Sequence, residues 1–260
     1  MFLHIGLGRA GSSYLQKKVF SNFKDINYIS RYNSKSFDKK RIKLFYDPTF
    51  FSQKKYIKNN TFVSTENFFH SITSINKLTY EIDCLCKDPK IIIILRNPLD
   101  HLISTYKTGV ISGNLWMRID DYFNFKKTSR ARIIEPNKIF SKSFYEYNKL
   151  IKLLKKRYVV KVFYYEKMFK NHTSMNNFIK DLSNFFQKKY IGEIKEKDFY
   201  KINSSLDEKF IKNLRIQNFK KVNGEAINKL SLSKNYFESY ISNSFIKKFH
   251  SEIKYRYKKI

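Results

Sequence analysis

Short apolar runs alternate with longer helical patterns along the first 200 residues of the chain. Runs rich in β-branched or aromatic residues predict strands at 2–6, 27–30, 61–65, 91–95 and 159–164. Apolar positions at helical spacing predict helices at 12–20, 73–86, 98–112, 142–157 and 172–186. Strands that alternate with helices in this way are typical of an α/β fold, in which crossover helices join parallel strands.

The run Ile91–Leu95 is apolar at every position, which predicts a central strand that is covered on both faces. We therefore expect a three-layer α/β fold around a central parallel sheet. After residue 205 the periodicity is helical, most clearly over 209–222 and 234–255. Because no repeat or linker interrupts the chain, we predict a single domain over 1–260, with an α/β core at 1–200 and a helical carboxy-terminal part at 201–260.

Lysine and arginine outnumber the acidic residues by 52 to 22, which gives a formal net charge of +30. Such a field attracts anions of any class, although the same composition also fits lysines that only solvate the surface. The longest apolar run is strand-sized, and the amino terminus lacks the pattern of a signal peptide, so we expect a cytoplasmic protein. Two cysteines, Cys84 and Cys86, are too few for a disulfide framework or a four-ligand zinc site.

The segment GLGRAGSS, Gly6–Ser13, follows the first predicted strand and precedes a predicted helix. This setting favours anion binding, and Ser12 or Ser13 can also cap the helix. A dinucleotide site would place an acidic residue after the second strand; the chain has Arg31 there, which could accept the 2′-phosphate of NADP. A nucleoside-triphosphate loop would carry Lys at the position of Ser12, so ATP chemistry is disfavoured. The cation that the loop does offer is Arg9.

The segment IIIILRNPLDHLISTYKTGV, Ile91–Val110, is predicted to be a buried strand that ends in Arg96 and leads into a helix. Asn97 can cap that helix, and Pro98 suits its first position. Ser104 lies further along the same helix. An arginine at a strand end with a hydroxyl nearby is a second anion pocket, because a guanidinium can bind phosphate through two parallel hydrogen bonds. Two such pockets on parallel strands predict a ligand with two separated phosphate groups.

These segments resemble the phosphate motifs of the sulfotransferases that use 3′-phosphoadenosine 5′-phosphosulfate (PAPS). HIGLGRAGSSYLQK looks like their 5′-phosphosulfate loop, and LRNPLDHLISTYKTG looks like their 3′-phosphate motif. VVKVFYYEKMF, Val159–Phe169, is similar to a strand and Tyr-Glu pair that many members carry, and INSSLDEKFIKNLRIQNF, Ile202–Phe219, looks like a segment of bacterial members that modify carbohydrates or small metabolites. The chain departs from the family where Gly8 replaces a common Pro and where a Lys-Gly-rich closing loop is missing.

The resemblance implies a phosphate-loop fold, an enzyme with PAPS as sulfuryl donor, and a set of cofactor-binding residues. The residues that would hold the 5′-phosphosulfate are Arg9, Ala10, Gly11, Ser12 and Ser13. Arg96 and Ser104 would bind the 3′-phosphate, while Asn203, with Lys201, stands in for the missing closing loop.

Sulfuryl transfer to a hydroxyl requires a base for the acceptor proton and positive charge at the leaving group. Arg9 is suited to the second task, and fixed cations make a metal ion unnecessary, so we expect none. Glu66 follows the strand 61–65, and VSTENFF looks like the segment that supplies a glutamate base in carbohydrate-acting members; a helix cap or an ion pair is the other interpretation of this residue. Histidine is the base in other branches, for which His70 is the candidate.

The resemblance does not select the acceptor. The basic composition suits an anionic glycan, a glycolipid precursor or a lipid-linked sugar, with contact at the anionic inner membrane; loops 31–60 and 113–141 are predicted to line its site. A kinase-like phosphate-loop enzyme and an NADP-dependent enzyme are the alternatives. A nucleic-acid-binding protein is the alternative of another class, suggested by the charge, 25 Phe and 19 Tyr. Because no sequence signature of such proteins is present, we expect no nucleic acid partner.

Overall fold

The structure is a computed structural model, and its described residues are 1–6, 8–30, 60–65, 78–80, 82–83, 88–113, 115, 119, 147–196 and 208–223. The chain divides into two compact units. The first unit comprises Met1–Asn97 and Lys149–Asn203, and the second comprises Pro98–Asn148 and Ser204–Ile260. The organisation as a single domain with a boundary near residue 200 stays a prediction.

Within the described residues, five parallel strands form one sheet in the first unit. They are β1 (Phe2–Gly6), β2 (Asn27–Ile29), β3 (Thr61–Thr65), β4 (Lys90–Leu95) and β5 (Val159–Tyr164). Their order across the sheet is β2-β3-β1-β4-β5. The α/β fold with a central parallel sheet is thereby confirmed, and every predicted strand agrees with an observed one to within a residue at each end.

The strand order places β1 where the chain connections change direction. β2 and β3 lie on one side of β1, whereas β4 and β5 lie on the other. In open parallel sheets such a reversal creates a crevice at the carboxyl ends of the strands, and ligands bind there. Gly6 at the end of β1 pairs with Ile94 of β4. The topology therefore brings the glycine loop, which follows β1, and Arg96, which follows β4, to the same edge of the sheet.

The middle of the sheet is buried on both faces. All five residues of β1 are buried, and the residues from Ile91 to Leu95 have no solvent-exposed surface. Phe186 packs edge-on against Phe2, with ring centroids 4.6 Å apart, and lies 4.9 Å from the ring of Phe62. Burial of apolar and aromatic surface of this kind is the main stabilising contribution to such a core.

The helices of the described residues are α1 (Ser12–Tyr14), α2 (Pro98–Ile111), α3 (Tyr147–Lys155), α4 (Tyr165–Met168), α5 (His172–Phe186) and α6 (Glu208–Asn223). The prediction for 172–186 is confirmed by α5, which begins after Asn171, whose side chain accepts a hydrogen bond from the Ser174 N–H at 2.8 Å. Of the predicted helix 73–86, residues 78–80 and 82–83 are described and are helical. The predicted helix 234–255 lies outside the described residues.

The predicted regular helix at 12–20 is wrong in detail. After α1 the chain forms a π-helical turn at Leu15–Val19 and a 3-10 turn at Phe20–Asn22. The residue that caps α1 is Gly11, and no side chain makes a capping hydrogen bond there. Ser12 and Ser13 lie inside α1, so neither of them is the cap. π-Helical turns are found often at functional sites.

In the second unit α2 packs against α6. The Asn218 side chain donates from Nδ2 to the carbonyl oxygens of Val110 and Leu115, at 2.7 and 2.9 Å. Val110 is in the last turn of α2, where its carbonyl also accepts from the Gly113 N–H at 3.0 Å, and Leu115 follows the helix. Asn218 therefore bonds to the carboxy-terminal end of α2. No helix of the described residues is long and apolar enough to cross a membrane.

Candidate anion-binding site

The glycine loop runs from the end of β1 to the start of α1. Two of its residues have left-handed backbone conformations, Arg9 with φ 68° and Gly11 with φ 76°. Left-handed conformations are costly for residues other than glycine and are found most often at functional sites. Backbone of this kind can direct several N–H groups toward one point and form an anion-binding concavity. The loop geometry therefore fits the phosphate-binding function predicted from the sequence.

Gly11 is fixed by packing as well as by its backbone conformation. A Cβ atom at this position would lie 2.5 Å from Cε2 and 2.8 Å from Cζ of Phe169. The ring of Phe169 is also in an edge-on contact with Tyr14, at 5.6 Å between centroids. The loop is thus held against the segment that follows β5, and glycine is the one residue type that fits without displacing the ring.

Arg96 joins the two predicted phosphate motifs. Its Nη1 donates a hydrogen bond to the main-chain carbonyl oxygen of Arg9 at 2.5 Å. Its guanidinium also stacks on the ring of Tyr165, 4.5 Å from the ring centroid, an arrangement in which a cation is attracted to the face of an aromatic ring. The arginine of the second motif is therefore held against the loop of the first.

Glu166, next to Tyr165 in α4, supports the same site. Its Oε1 accepts a hydrogen bond from the main-chain N–H of Asn97 at 2.6 Å. This carboxylate fixes the backbone directly after Arg96. The sequence alone predicts no role for Tyr165 or Glu166. The Tyr-Glu pair after β5, which is part of the family resemblance, is the signal that could have identified them.

A buried polar cluster lies beneath the loop. His4 of β1 and Ser64 of β3 are paired across the sheet, and His4 Nδ1 lies 2.7 Å from Ser64 Oγ. Gln16, in the π-helical turn, donates from Nε2 to the same oxygen at 2.9 Å. Burial lowers the pKa of His4 from 6.5 to about 3, because charging a fully buried imidazole is costly. His4 is consequently neutral at physiological pH.

The predicted site residues are distributed as follows. Ala10 and Ser12 are buried, Gly11 and Arg96 are half-buried, and Arg9 and Ser13 are exposed. The structure brings these six together in the first unit at the carboxyl edge of the sheet. Ser104 lies in α2 of the second unit and is half-buried, with its carbonyl oxygen accepting a bond from Thr108 Oγ1 at 3.0 Å.

Three predicted residues, Glu66, His70 and Asn203, lie outside the described residues. Glu66 is the residue that follows β3 in the sequence, and the last residue of β3, Thr65, pairs with Ile5 of β1. Its role as the base stays a prediction. Among the described residues, no group of three or more His, Cys, Asp or Glu side chains is placed to hold a metal ion.

The strand order and the loop that follows β1 define a fold that the chain shares with sulfotransferases. The sulfotransferase from Alicyclobacillus acidocaldarius superposes with a TM-score of 0.53 at 13% sequence identity, over 92% of this chain and 98% of that one. The mouse sulfotransferase SULT7A1, in a complex with PAP, gives a TM-score of 0.41 at 16% identity, over 96% and 83% of the two chains. No protein-family model and no curated protein sequence matches the chain.

Proposed function

We propose that the protein is a sulfotransferase that transfers the sulfuryl group of PAPS to a hydroxyl or amine of an acceptor by in-line displacement. The observation that carries this proposal is the hydrogen bond from Arg96 Nη1 to the Arg9 carbonyl at 2.5 Å. It unites two phosphate motifs that are 87 residues apart in a chain with the fold of sulfotransferases. A nucleotide that carries both a 5′-phosphate and a 3′-phosphate would bind to both motifs.

The donor groups of the site fit such a ligand. The loop offers main-chain N–H groups and the Arg9 guanidinium, and the end of β4 offers the Arg96 guanidinium. Hydrogen bonds from guanidinium groups to phosphate oxygens are shorter and stronger than neutral ones. In this proposal residues 9–13 hold the 5′-phosphosulfate, while Arg96 and Ser104 hold the 3′-phosphate and Asn203 completes the cofactor site.

PAPS, when bound, supplies an activated sulfuryl group on a phosphate leaving group. Arg9, an exposed cation of the loop, would stabilise the negative charge that develops on the leaving oxygen. Glu66 accepts the proton of the acceptor hydroxyl, with His70 as the alternative base. A free glutamate has a pKa of about 4.3, so burial that raises the pKa of Glu66 would make it a better base at neutral pH.

We propose a carbohydrate or glycolipid precursor as the acceptor, either an anionic glycan or a lipid-linked sugar. The net charge of +30 supports this choice, because a positive field raises the local concentration of anionic substrates. The same field favours contact with an anionic membrane surface, where each lysine or arginine near the surface contributes about 1 kcal/mol.

Calorimetric titration of the protein with adenosine 3′,5′-bisphosphate, NADP and magnesium ATP tests the proposed function. The bisphosphate is the donor without its sulfuryl group, so we expect it to bind while the other two bind weakly. Preferential binding of NADP or ATP would mean that the glycine loop serves one of the alternative functions, and the proposal would be wrong.

A further inference from the structure

The ring of Phe169 lies between the two phosphate motifs. Phe169 caps the carboxyl end of α4, and its main-chain N–H donates to the Tyr165 carbonyl oxygen at 2.9 Å. The residue is 8% exposed, so nearly all of its surface is in contact with the protein. The proposed chemistry gives it no role, because a phenyl ring has no proton to transfer and no charge to offer. Its contacts are what explain its position.

On one side the ring packs against the glycine loop. Two of its atoms, Cε2 and Cζ, are so close to Gly11 that a Cβ atom there would lie within 2.8 Å of both. Tyr14, the last residue of α1, meets the same ring edge-on, with centroids 5.6 Å apart. The ring thus contacts the loop and the helix that follows it. Because a packed interior transmits displacements, a change in the ring would shift the loop.

On the other side the ring packs against Tyr165. The planes of the two rings are inclined by 33°, with centroids 4.7 Å apart. The guanidinium of Arg96 lies on the Tyr165 ring, with its Cζ 4.5 Å from the ring centroid. The attraction of a cation to an aromatic face depends on the orientation of the ring. Phe169 therefore supports the ring on which Arg96 is placed.

These contacts form a closed circuit between the two motifs. From Gly11 they lead through Phe169 and Tyr165 to Arg96, and Arg96 Nη1 returns to the loop through its bond to the Arg9 carbonyl oxygen. The hydrogen bond is a polar link between the motifs, and the pair of rings is an apolar one. Because two links restrict orientation as well as distance, the circuit holds Arg96 in a defined place relative to the loop.

We propose that Phe169 is a positioning residue that sets the separation of the two phosphate motifs, so that one nucleotide can place its 5′-phosphate in the loop and its 3′-phosphate at Arg96. The choice of ligand rests on the proposed function, whereas the coupling of Gly11 to Arg96 through the two rings does not. A ligand with two linked groups gains affinity only while the spacing of its sites matches its own. Loss of the ring should therefore weaken a nucleotide with both phosphates more than a nucleotide with one.

The coupling can be measured without any ligand, by ¹H–¹⁵N NMR of the arginine side chains. The Arg96 Nε–H signal is the one that disappears in Arg96→Lys. In Phe169→Leu a smaller side chain replaces the ring, so Tyr165 loses its support and we expect the Arg96 signal to shift. The matched control is Phe178→Leu in α5, which removes another buried ring, 4.7 Å from that of Phe163, and should leave the signal unchanged.

Two results of the NMR comparison would overturn the proposal. An Arg96 signal that does not move in Phe169→Leu would show that the rings do not couple the loop to Arg96. A signal that moves equally in Phe169→Leu and Phe178→Leu would show a general response to the loss of a buried ring.

Binding of three nucleotides measures the effect on the site. For folded Phe169→Leu we expect the Kd for adenosine 3′,5′-bisphosphate to rise about tenfold, because misplaced motifs cannot both hold one ligand. The Kd values for adenosine 5′-monophosphate and adenosine 3′-monophosphate should each rise less than about threefold, since each needs one motif. Phe178→Leu should leave all three unchanged. An equal rise for the three nucleotides in Phe169→Leu would show that the ring only stabilises the fold, and would contradict the proposal.

A second variant guards against the loss of folding in Phe169→Leu. Phe169→Met keeps a long apolar side chain, and such replacements are better tolerated in a core, but it lacks the flat ring that supports Tyr165. It should again weaken the bisphosphate more than either monophosphate, and equal effects would overturn the proposal. If the wild-type protein did not bind the bisphosphate, the proposed function would fail, and the NMR measurement alone would decide the role of Phe169.

Discussion

At Gly11 both the backbone conformation and the packing of the loop require glycine. It needs a left-handed conformation, with φ 76°, and it leaves no room for a side chain beside Phe169. The spacing of the glycines in the sequence predicts Gly11 as a residue of the loop. The neighbour that excludes a side chain could not be predicted, since Phe169 lies far along the chain and approaches only in the folded sheet.

We predict that Gly11→Ala destabilises the fold more than Gly113→Ala does. Gly113 has a similar φ of 78°, but a Cβ there would meet its nearest atom at 3.8 Å. Gly113→Ala should therefore cost about 1–2 kcal/mol for the backbone conformation alone. Gly11→Ala should add roughly 1–3 kcal/mol for the overlap with Phe169. Urea denaturation measures both; equal losses of free energy of unfolding would refute the packing argument.

His4 makes stability depend on acid pH. The unfolded chain takes up a proton on His4 below about pH 6.5, whereas the folded chain does so only near pH 3, because burial lowers the pKa of His4 from 6.5 to about 3. Between these values the unfolded state binds more protons, so the free energy of unfolding falls as the pH falls, by about 1.4 kcal/mol per pH unit.

The measurement is urea unfolding of wild type and His4→Asn at several pH values between 7 and about 4. We expect the free energy of unfolding to fall more steeply on acidification in the wild type than in the variant. The two slopes should differ by about 1.4 kcal/mol per pH unit, which corresponds to the uptake of one proton on unfolding. Identical slopes for the two proteins would show that His4 is charged in the folded state or is not buried. The sequence placed His4 in a strand, but Ser64, the partner that orients it, is 60 residues away.

At the scale of elements, the strands were predictable because short runs rich in apolar, aromatic or β-branched residues mark them, most clearly at Ile91–Leu95. The segment after α1 was not, since a π-helical turn at Leu15–Val19 leaves no periodic signature in so short a stretch. The contacts that α4 makes with the end of β4 could not be predicted from the sequence either. Its residues Tyr165 and Glu166 contact Arg96 and Asn97 across the edge of the sheet, and only the three-dimensional structure brings them together.

We predict that Glu166→Ala weakens binding of adenosine 3′,5′-bisphosphate about tenfold, while Glu166→Gln has a smaller effect. The alanine variant removes the acceptor of the Asn97 N–H, so the backbone after Arg96 loses its anchor. A hydrogen bond to a charged group contributes about 1.5 kcal/mol or more, and about 1.4 kcal/mol corresponds to a tenfold change in affinity. Glutamine retains an acceptor oxygen and is the control. Calorimetric titration compares the three proteins. Equal binding by wild type and Glu166→Ala would show that α4 does not position the proposed 3′-phosphate site.

At the scale of the whole molecule, the charge of +30 fits both the proposed enzyme and a nucleic-acid-binding protein, and the salt dependence of binding distinguishes the two. We predict that duplex DNA associates only at low salt and is lost between about 50 and 200 mM, because contacts to many phosphates release counterions. Bisphosphate binding should fall much less over the same range, since it uses few charges. Gel-shift and calorimetric titrations in the same salt series measure both. A DNA complex that persists at 200 mM salt would favour the nucleic-acid alternative.

The measurement that tests the account most directly is the preference for a 3′-phosphate. Wild-type protein should bind adenosine 3′,5′-bisphosphate about 100-fold more tightly than adenosine 5′-monophosphate, because a guanidinium clamp contributes a few kcal/mol. Arg96→Ala should abolish most of this preference. Arg157→Ala, which removes an exposed arginine bonded to Asp83 at 2.7 Å, should keep it. Equal affinity of the wild-type protein for the two nucleotides would contradict a site built from both phosphate motifs.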